Sequence, residues 1–242
     1  MCEGGCKARS QCACLQKLKN YKTRGLFAYN VDGVLTVMGI PIFECGDGCS
    51  CDRQKCRNRV SQHHEKIKIT LMLAERKGLG GVFAGEDIAG GRFINTFGGE
   101  LITDNVCEAR HSGDAKCYLF DIDFKFVCDI KVKYVLDQTD RGNVSGTENM
   151  EQQEAEGPYT NHTCKPNCTV QGLYVNNADM EKPTLVLFAS KDISGGEELC
   201  ISYGVNDIEG QREGATPRRT RCTCGQDNCV GKSGEMASNS PG

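Results

Sequence analysis

The sequence predicts a mostly-β chain with a cysteine-rich segment at each end, and three observations support this. Short β-prone runs recur, and Gly-rich or polar turns separate them. No stretch sustains the long helical periodicity of an alternating α/β protein. Of the 17 cysteines in 242 residues, eight fall before residue 57 and three after residue 221.

Taken in order, residues 1–62 form the first cysteine-rich segment. Cys2, Cys6, Cys12 and Cys14 read C-x3-C-x5-C-x-C, and Cys45, Cys49, Cys51 and Cys56 read C-x3-C-x-C-x4-C. An ordinary stretch from about residue 18 to 43 lies between them. From residue 67 the texture changes, and strands are expected over 67–73, 81–84, 92–97, 118–122, 126–130, 173–175, 184–189 and 199–203. One helix is expected over 105–111. Two segments are polar and strand-poor: the acidic 146–157, GTENMEQQEAEG, and the linker at 206–217. The last cysteines, Cys222, Cys224 and Cys229, read C-x-C-x4-C within a closing segment at 218–233, followed by a disordered tail at 234–242.

Composition excludes several classes. Hydrophobic content of 38% and charged content of 25% suit a globular chain rather than a disordered one. No apolar run reaches the roughly 20 residues of a membrane-spanning helix, and the N-terminus lacks the apolar centre of a secretory signal. The net charge of −3 and the absence of a basic stripe with interleaved aromatics argue against strong direct nucleic-acid binding. An odd number of cysteines forbids complete intramolecular pairing. Short C-x-C and C-x3-C spacings place several sulfurs about one ion, so zinc held by thiolates is preferred to disulfides.

Three motifs carry possible chemistry. Lys77-Gly78-Leu79-Gly80-Gly81-Val82 would let backbone approach a ligand, but it is no dinucleotide fingerprint and alone reads as a turn. Asn161-His162-Thr163-Cys164-Lys165-Pro166-Asn167-Cys168 sets donors and acceptors beside a potential metal thiolate; alone, His162 reads as a structural hydrogen-bonding residue. Gly195-Gly196-Glu197-Glu198-Leu199-Cys200-Ile201-Ser202-Tyr203 ends an apolar run on a tyrosine, which alone reads as a half-buried core residue.

In order, the Cys-rich entry, Cys-x-Asn-Arg at 56–59, K-G-L-G, Y-L-F-D-I-D, N-H-T-C-x-P-N, G-E-E-L-x-x-x-Y and C-x-C-x4-C-x-G resemble a SET-domain protein lysine methyltransferase flanked by pre-SET and post-SET modules. The likeness runs from Cys2 to about Lys232, and the first cysteine pattern is similar to the suppressor-of-variegation class, which methylates histone H3 at lysine-9. It implies a SET fold, a β-clip of several small sheets with a pseudoknot, over 67–205, with a pre-SET module at 1–62 and a post-SET segment at 218–233. It implies methyl transfer from S-adenosylmethionine to a lysine amine on the H3 tail, in the nucleus on chromatin. No membrane is involved.

The resemblance also assigns residues. Lys77, Gly78 and Leu79 would lie along the cofactor, Asn161 and His162 would bind its adenosine portion, and Tyr118 would stand where cofactor and lysine channel meet. Tyr203 would be the active-site tyrosine, with Tyr118 beside it. Cys164 would join Cys222, Cys224 and Cys229 around one structural zinc. Cys2, Cys6, Cys12, Cys14, Cys45, Cys49, Cys51 and Cys56 would hold up to three more. Cys107, Cys117, Cys128, Cys168 and Cys200 are left as packing residues.

The sequence departs from the family pattern in four places. The family's pre-SET cluster has nine cysteines, and the ninth would precede Cys2. The 146–157 segment interrupts a normally continuous run before Asn161. Leu79 replaces a tryptophan, and no aromatic follows Cys229. Ser202 replaces an acid or amide, and Ile201 stands where an aromatic limits methyl addition, which favours di- or trimethylation. These departures motivate a second reading, a catalytically silent SET protein that binds histone tails or scaffolds chromatin. A zinc-dependent nucleic-acid module is a third.

Overall fold

The computed structural model describes residues 14, 16–17, 27–63, 67–74, 79–110, 119–122, 133–139, 159–175, 182–203, 222, 224–227 and 229; the side chains of 73, 74, 79, 119, 121 and 122 lie outside the description. The expected strand at 126–130, the acidic segment at 146–157, the linker at 206–217 and the tail at 234–242 fall outside these residues, as do Cys117 and Cys128.

Four small sheets make up the described fold. The largest runs β1 (Ile42–Glu44), β9 (Cys168–Val175), β10 (Thr184–Ala189) and β4 (Phe93–Thr96). β10 is antiparallel to both neighbours, with a register shift between Leu187 and Phe188 against β4. β1 pairs in parallel with β9, Ile42 opposite Leu173. A second sheet orders β5 (Glu100–Thr103), β7 (Tyr134–Asp137) and β6 (Leu119–Ile122), all antiparallel. β2 (Ile69–Ala74) and β3 (Leu79–Ala84) form an antiparallel pair, and β8 (Asn161–His162) pairs in parallel with β11 (Cys200–Ile201). Two short helices lie wholly within the described residues, α1 (Val60–His63) and α2 (Asp104–Arg110). No described helix is long and apolar enough to cross a membrane.

β10 explains how so little regular structure makes a core. Side chains alternate across a strand, and here both faces are covered. Leu185, Leu187 and Ala189 enter one apolar cluster with Val82, Ile94, Ile193, Leu199 and Ile201. Val186 and Phe188 enter another with Tyr29, Leu35, Ile42, Phe93 and Leu173. An apolar run buried on two sides reads as an unbroken hydrophobic stretch, which is why 184–189 was visible without alternation.

Elsewhere the structure differs from expectation in instructive ways. The helix expected at 105–111 is α2, and β9 extends upstream to Cys168. Leu79–Val82, which alone resembles a turn, is strand: Gly80 and Gly81 pair with Leu73 and Met72. β1, β5, β7 and β8 were not expected. β8 is two residues long, and its pairing with β11 comes from tertiary closure rather than local preference. Cys107, Cys168 and Cys200 are buried, as packing residues should be. Burial pushes the Cys168 thiol up to about 12, which suits an inert core sulfur.

Candidate functional site

The parallel pairing of β8 with β11 brings the NHTC and EELCISY motifs side by side. Asn161 lies opposite Cys200 and His162 opposite Ile201. Just past this pairing, the Tyr203 main-chain N–H donates to His162 Nδ1 at 3.1 Å, and the two rings lie 5.3 Å apart. The Tyr203 hydroxyl donates to the Thr160 carbonyl at 2.8 Å. The tyrosine is therefore held at both ends, yet it is 54% exposed rather than half-buried in a core. The side chain is thus tethered at its tip while its ring faces solvent.

His162 has a defined tautomer in this arrangement. Because Nδ1 accepts from an N–H, it carries no proton, so the hydrogen of the neutral ring sits on Nε2. Nε2 lies 3.6 Å from Cys164 Sγ. The ring thus links the tyrosine backbone to the cysteine group beyond it.

That group is the C-terminal one. The sulfurs of Cys164, Cys222, Cys224 and Cys229 all lie within 4.8 Å of one another. Four converging soft donors fit a closed tetrahedral zinc site, which is structural rather than catalytic. Burial pushes Cys222 up to about 12, with neighbouring sulfurs adding to the effect. Burial opposes ionisation of Cys224 too, but main-chain N–H groups of Cys164 and Gln226 and the adjacent sulfurs bring it down to about 6.

At the other end, Cys14, Cys45 and Cys49 form one sulfur group and Cys45, Cys51 and Cys56 a second, with Cys45 common to both. A shared thiolate fits a bridged multi-zinc cluster. Cys-x-Asn-Arg supplies its frame. Asn58 is fully buried and donates from Nδ2 to the Phe43 carbonyl at 2.9 Å, with Cys45 Sγ at 3.5 Å. The buried Arg59 donates to the Gly46 carbonyl at 2.6 Å and approaches Cys51 Sγ at 3.7 Å. Burial opposes its charge, but Cys51, Cys56 and Cys45 outweigh that and raise the guanidinium above its ordinary value. Phe43 stacks on Tyr174 of β9 at 5.2 Å and 24°, fastening this cluster to the main sheet.

Among the residues predicted from sequence, Asn161, His162 and Tyr203 are thus brought together, and Cys164 joins them to the last cysteines. Leu79 opens β3, with its backbone paired to Ala74. Lys77, Gly78, Tyr118, Cys2, Cys6 and Cys12 lie outside the described residues. Sequence reading missed Thr160, whose contribution is a carbonyl and leaves no side-chain signal. It also passed over Glu198, whose Oε1 accepts from Asn161 Nδ2 at 2.8 Å.

The chain belongs to the SET-domain histone-lysine methyltransferase family: the SET domain model matches residues 80–204 and the Pre-SET motif model residues 1–59. Its relatives include the probable histone-lysine N-methyltransferase set-23 of Caenorhabditis elegans, 32% identical over 94% of this chain and 84% of that protein. The Drosophila melanogaster histone-lysine N-methyltransferase Su(var)3-9 is 31% identical over 79% of this chain and 28% of that protein. A crystal structure of KRYPTONITE with mCHH DNA, an H3(1-15) peptide and SAH superimposes with a TM-score of 0.65 at 27% identity, covering 94% of this chain and 42% of that one. The chain therefore spans most of set-23 but well under half of the other two.

Proposed function

We propose that this chain is an active S-adenosylmethionine-dependent protein lysine N-methyltransferase acting on the histone H3 tail, with lysine-9 as its target, in the nucleus on chromatin. The observation that carries the reading is the doubly tethered, exposed Tyr203 beside Asn161 and His162. Relatives with this family's name act on histone lysines, and a neighbour at 27% identity holds SAH and an H3 peptide.

The transfer is a direct displacement. With the cofactor bound, a neutral lysine nitrogen would take the methyl carbon as the carbon–sulfur bond breaks, giving S-adenosylhomocysteine and one proton lost from nitrogen. When bound, the cofactor supplies the electrophilic methyl group. The protein's part is to orient and desolvate. Holding two reactants in line can supply about 7–11 kcal/mol of the barrier. Tyr203, anchored through Thr160 and His162, keeps a hydroxyl oxygen at a fixed point where the amine must sit, with Tyr118 assigned to the opposite wall. An apolar surround disfavours the ammonium and so favours the reactive amine. Asn161, His162 and the 77–79 segment are assigned to the cofactor. β6 begins one residue after Tyr118 and, among the described residues, is an outer strand of its sheet, the kind of edge to which an extended peptide can add.

The residues fit zinc at both ends, where it would fold chain segments rather than take part in the transfer. Ile201 is buried at 2% exposure and presents no hydroxyl to hold a partly methylated amine, so di- or trimethylation is the expected product. Mass spectrometry of H3 peptides after incubation with zinc-loaded protein and S-adenosylmethionine tests all of this. Methylation confined to lysine-9 is expected. Peptide binding without turnover would instead establish the silent, scaffolding reading.

A further inference from the structure

The acidic pair of the G-E-E-L motif has no role in the reaction as described above. Glu197 and Glu198 lie where three segments close on one another. Phe83 of β3 bridges to Glu198, the Ala84 N–H donates to the Glu197 carbonyl at 2.9 Å, and the Leu199 N–H donates to the Val82 carbonyl at 2.7 Å. Asn167 fastens the same stretch from the other side, donating from Nδ2 to the Glu198 carbonyl at 2.8 Å and accepting from the Cys200 N–H at 2.8 Å. The backbone at Glu198 is therefore fixed before its side chain does anything.

That side chain reaches Asn161. Asn161 Nδ2 donates both its hydrogens, to Glu198 Oε1 at 2.8 Å and to the Gly80 carbonyl at 3.0 Å. Both partners act only as acceptors here, a carbonyl and a carboxylate, so the amide cannot flip without placing oxygen against oxygen. Gly81 leaves the space for this arrangement. A Cβ at Gly81 would sit 2.9 Å from Glu198 Oε1 and 3.2 Å from Asn161 Nδ2, so the carboxylate–amide pair occupies room that only glycine leaves. With Nδ2 committed, Oδ1 is the atom that Asn161 has left to offer a ligand.

We infer that Glu198 is a positioning residue for cofactor recognition: it locks the Asn161 amide so that Oδ1 is presented as a hydrogen-bond acceptor to a donor group of the cofactor. This rests on the proposed function in assigning Asn161 to the cofactor, and deepens it. Glu198 acts through Asn161 and on cofactor affinity, leaving the peptide side and the chemical step alone.

The test uses the full zinc-loaded chain, with S-adenosylhomocysteine binding by calorimetry and steady-state kinetics on an H3 peptide. Glu198→Gln, which can turn a donor toward Asn161, should raise Kd for S-adenosylhomocysteine and KM for S-adenosylmethionine by about tenfold, the scale of one misdirected hydrogen bond. The kcat at saturating cofactor, the peptide KM and the melting temperature should stay near wild type. Asn161→Asp, which sets two carboxylates together, should weaken binding further. Combining it with Glu198→Gln should recover part of that loss, because the glutamine can donate to the new carboxylate.

Unchanged cofactor affinity in Glu198→Gln overturns the inference while wild-type turnover keeps the proposed function. A fall in kcat and melting temperature together with a rise in both KM values also overturns it, since that marks a purely structural carboxylate. If the wild type binds S-adenosylhomocysteine but methylates nothing, weakened binding in Glu198→Gln upholds the inference although the activity fails. No binding of S-adenosylhomocysteine by the wild type overturns both.

Discussion

Tyr203 and Thr160 are joined by a hydrogen bond from the tyrosine hydroxyl to the threonine main-chain carbonyl, 2.8 Å long. Its acceptor belongs to the residue immediately before Asn161, so one backbone segment positions both the proposed catalytic tyrosine and the proposed cofactor ligand. Removing the hydroxyl should uncouple activity from fold. Tyr203→Phe keeps the ring beside His162 and the main-chain N–H bond to Nδ1. Methyl transfer should fall by about 100-fold or more. Stability should change by no more than about 1 kcal/mol, because the side chain is 54% exposed. Peptide mass spectrometry and a thermal melt check the two halves.

The two cysteine systems should respond differently to loss of one sulfur. Cys229→Ala removes one of four ligands from a closed site, and about one zinc equivalent should be lost. Methyl transfer should fall with it, because Cys164 stands 3.6 Å from the His162 ring that holds Tyr203. Cys45→Ala removes the sulfur common to both N-terminal groups and should release more than one equivalent. Metal content by mass spectrometry distinguishes these outcomes.

The network around Glu44 gives a pH prediction. Its buried carboxylate accepts from the Tyr29 hydroxyl at 2.7 Å, from the Ser61 N–H and hydroxyl at 2.8 and 2.7 Å, and from Gln62 Nε2 at 2.8 Å. Burial, and then the Glu44 charge and hydrogen bond, hold the Tyr29 phenol well above its ordinary 10.0. The folded state thus keeps this proton more tightly than the unfolded chain. The contribution is fully present below pH 10 and is lost as pH rises from there through the folded value. Tyr29→Phe should cost about 1.5–3 kcal/mol at pH 8, and the gap to wild type should narrow in urea titrations above pH 10.

Gly91 tests the packing between the N-terminal loop and the main sheet. It has φ of +80°, and an added Cβ would lie 2.5 Å from Val34 Cγ1 and 2.7 Å from the Leu35 carbonyl. Strain and overlap act together, so Gly91→Ala should destabilise by about 2–4 kcal/mol. Gly39, with φ of +77° and nothing within 4 Å of an added Cβ, should show the backbone cost alone. Denaturant midpoints compare the two.

What could be read from the sequence follows from where the information resides. β10 announced itself because both faces are buried, and the last three cysteines were legible because metal ligation demands residue type and spacing together; Cys164 was joined to them by the family resemblance, since nothing local links it to partners 58 residues on. β8 and β1 were hidden: each is a short edge whose partner lies far along the chain, 39 residues for Asn161 with Cys200 and 131 for Ile42 with Leu173. Tyr203 was identifiable by motif, but its exposure and its double tether were not, since His162 Nδ1 and the Thr160 carbonyl are tertiary partners. Gly80 and Gly81 suggested a turn because local preference cannot show that the missing Cβ makes way for the Tyr159 ring at Gly80 and for Glu198 at Gly81.

The parallel pairing of Ile42–Glu44 with Leu173–Val175 carries a mechanical consequence. Although the two family models meet the chain in separate stretches, this pairing ties them into a single load path. A pull or thermal fluctuation that loosens the N-terminal cysteine cluster is passed through β1 to β9. It then reaches β10, the strand shared by two apolar clusters. A metal held by the cysteines at the front of the chain would therefore act as ballast for a sheet that includes none of its ligands, and chelating it should broaden or lower the melting of the whole molecule.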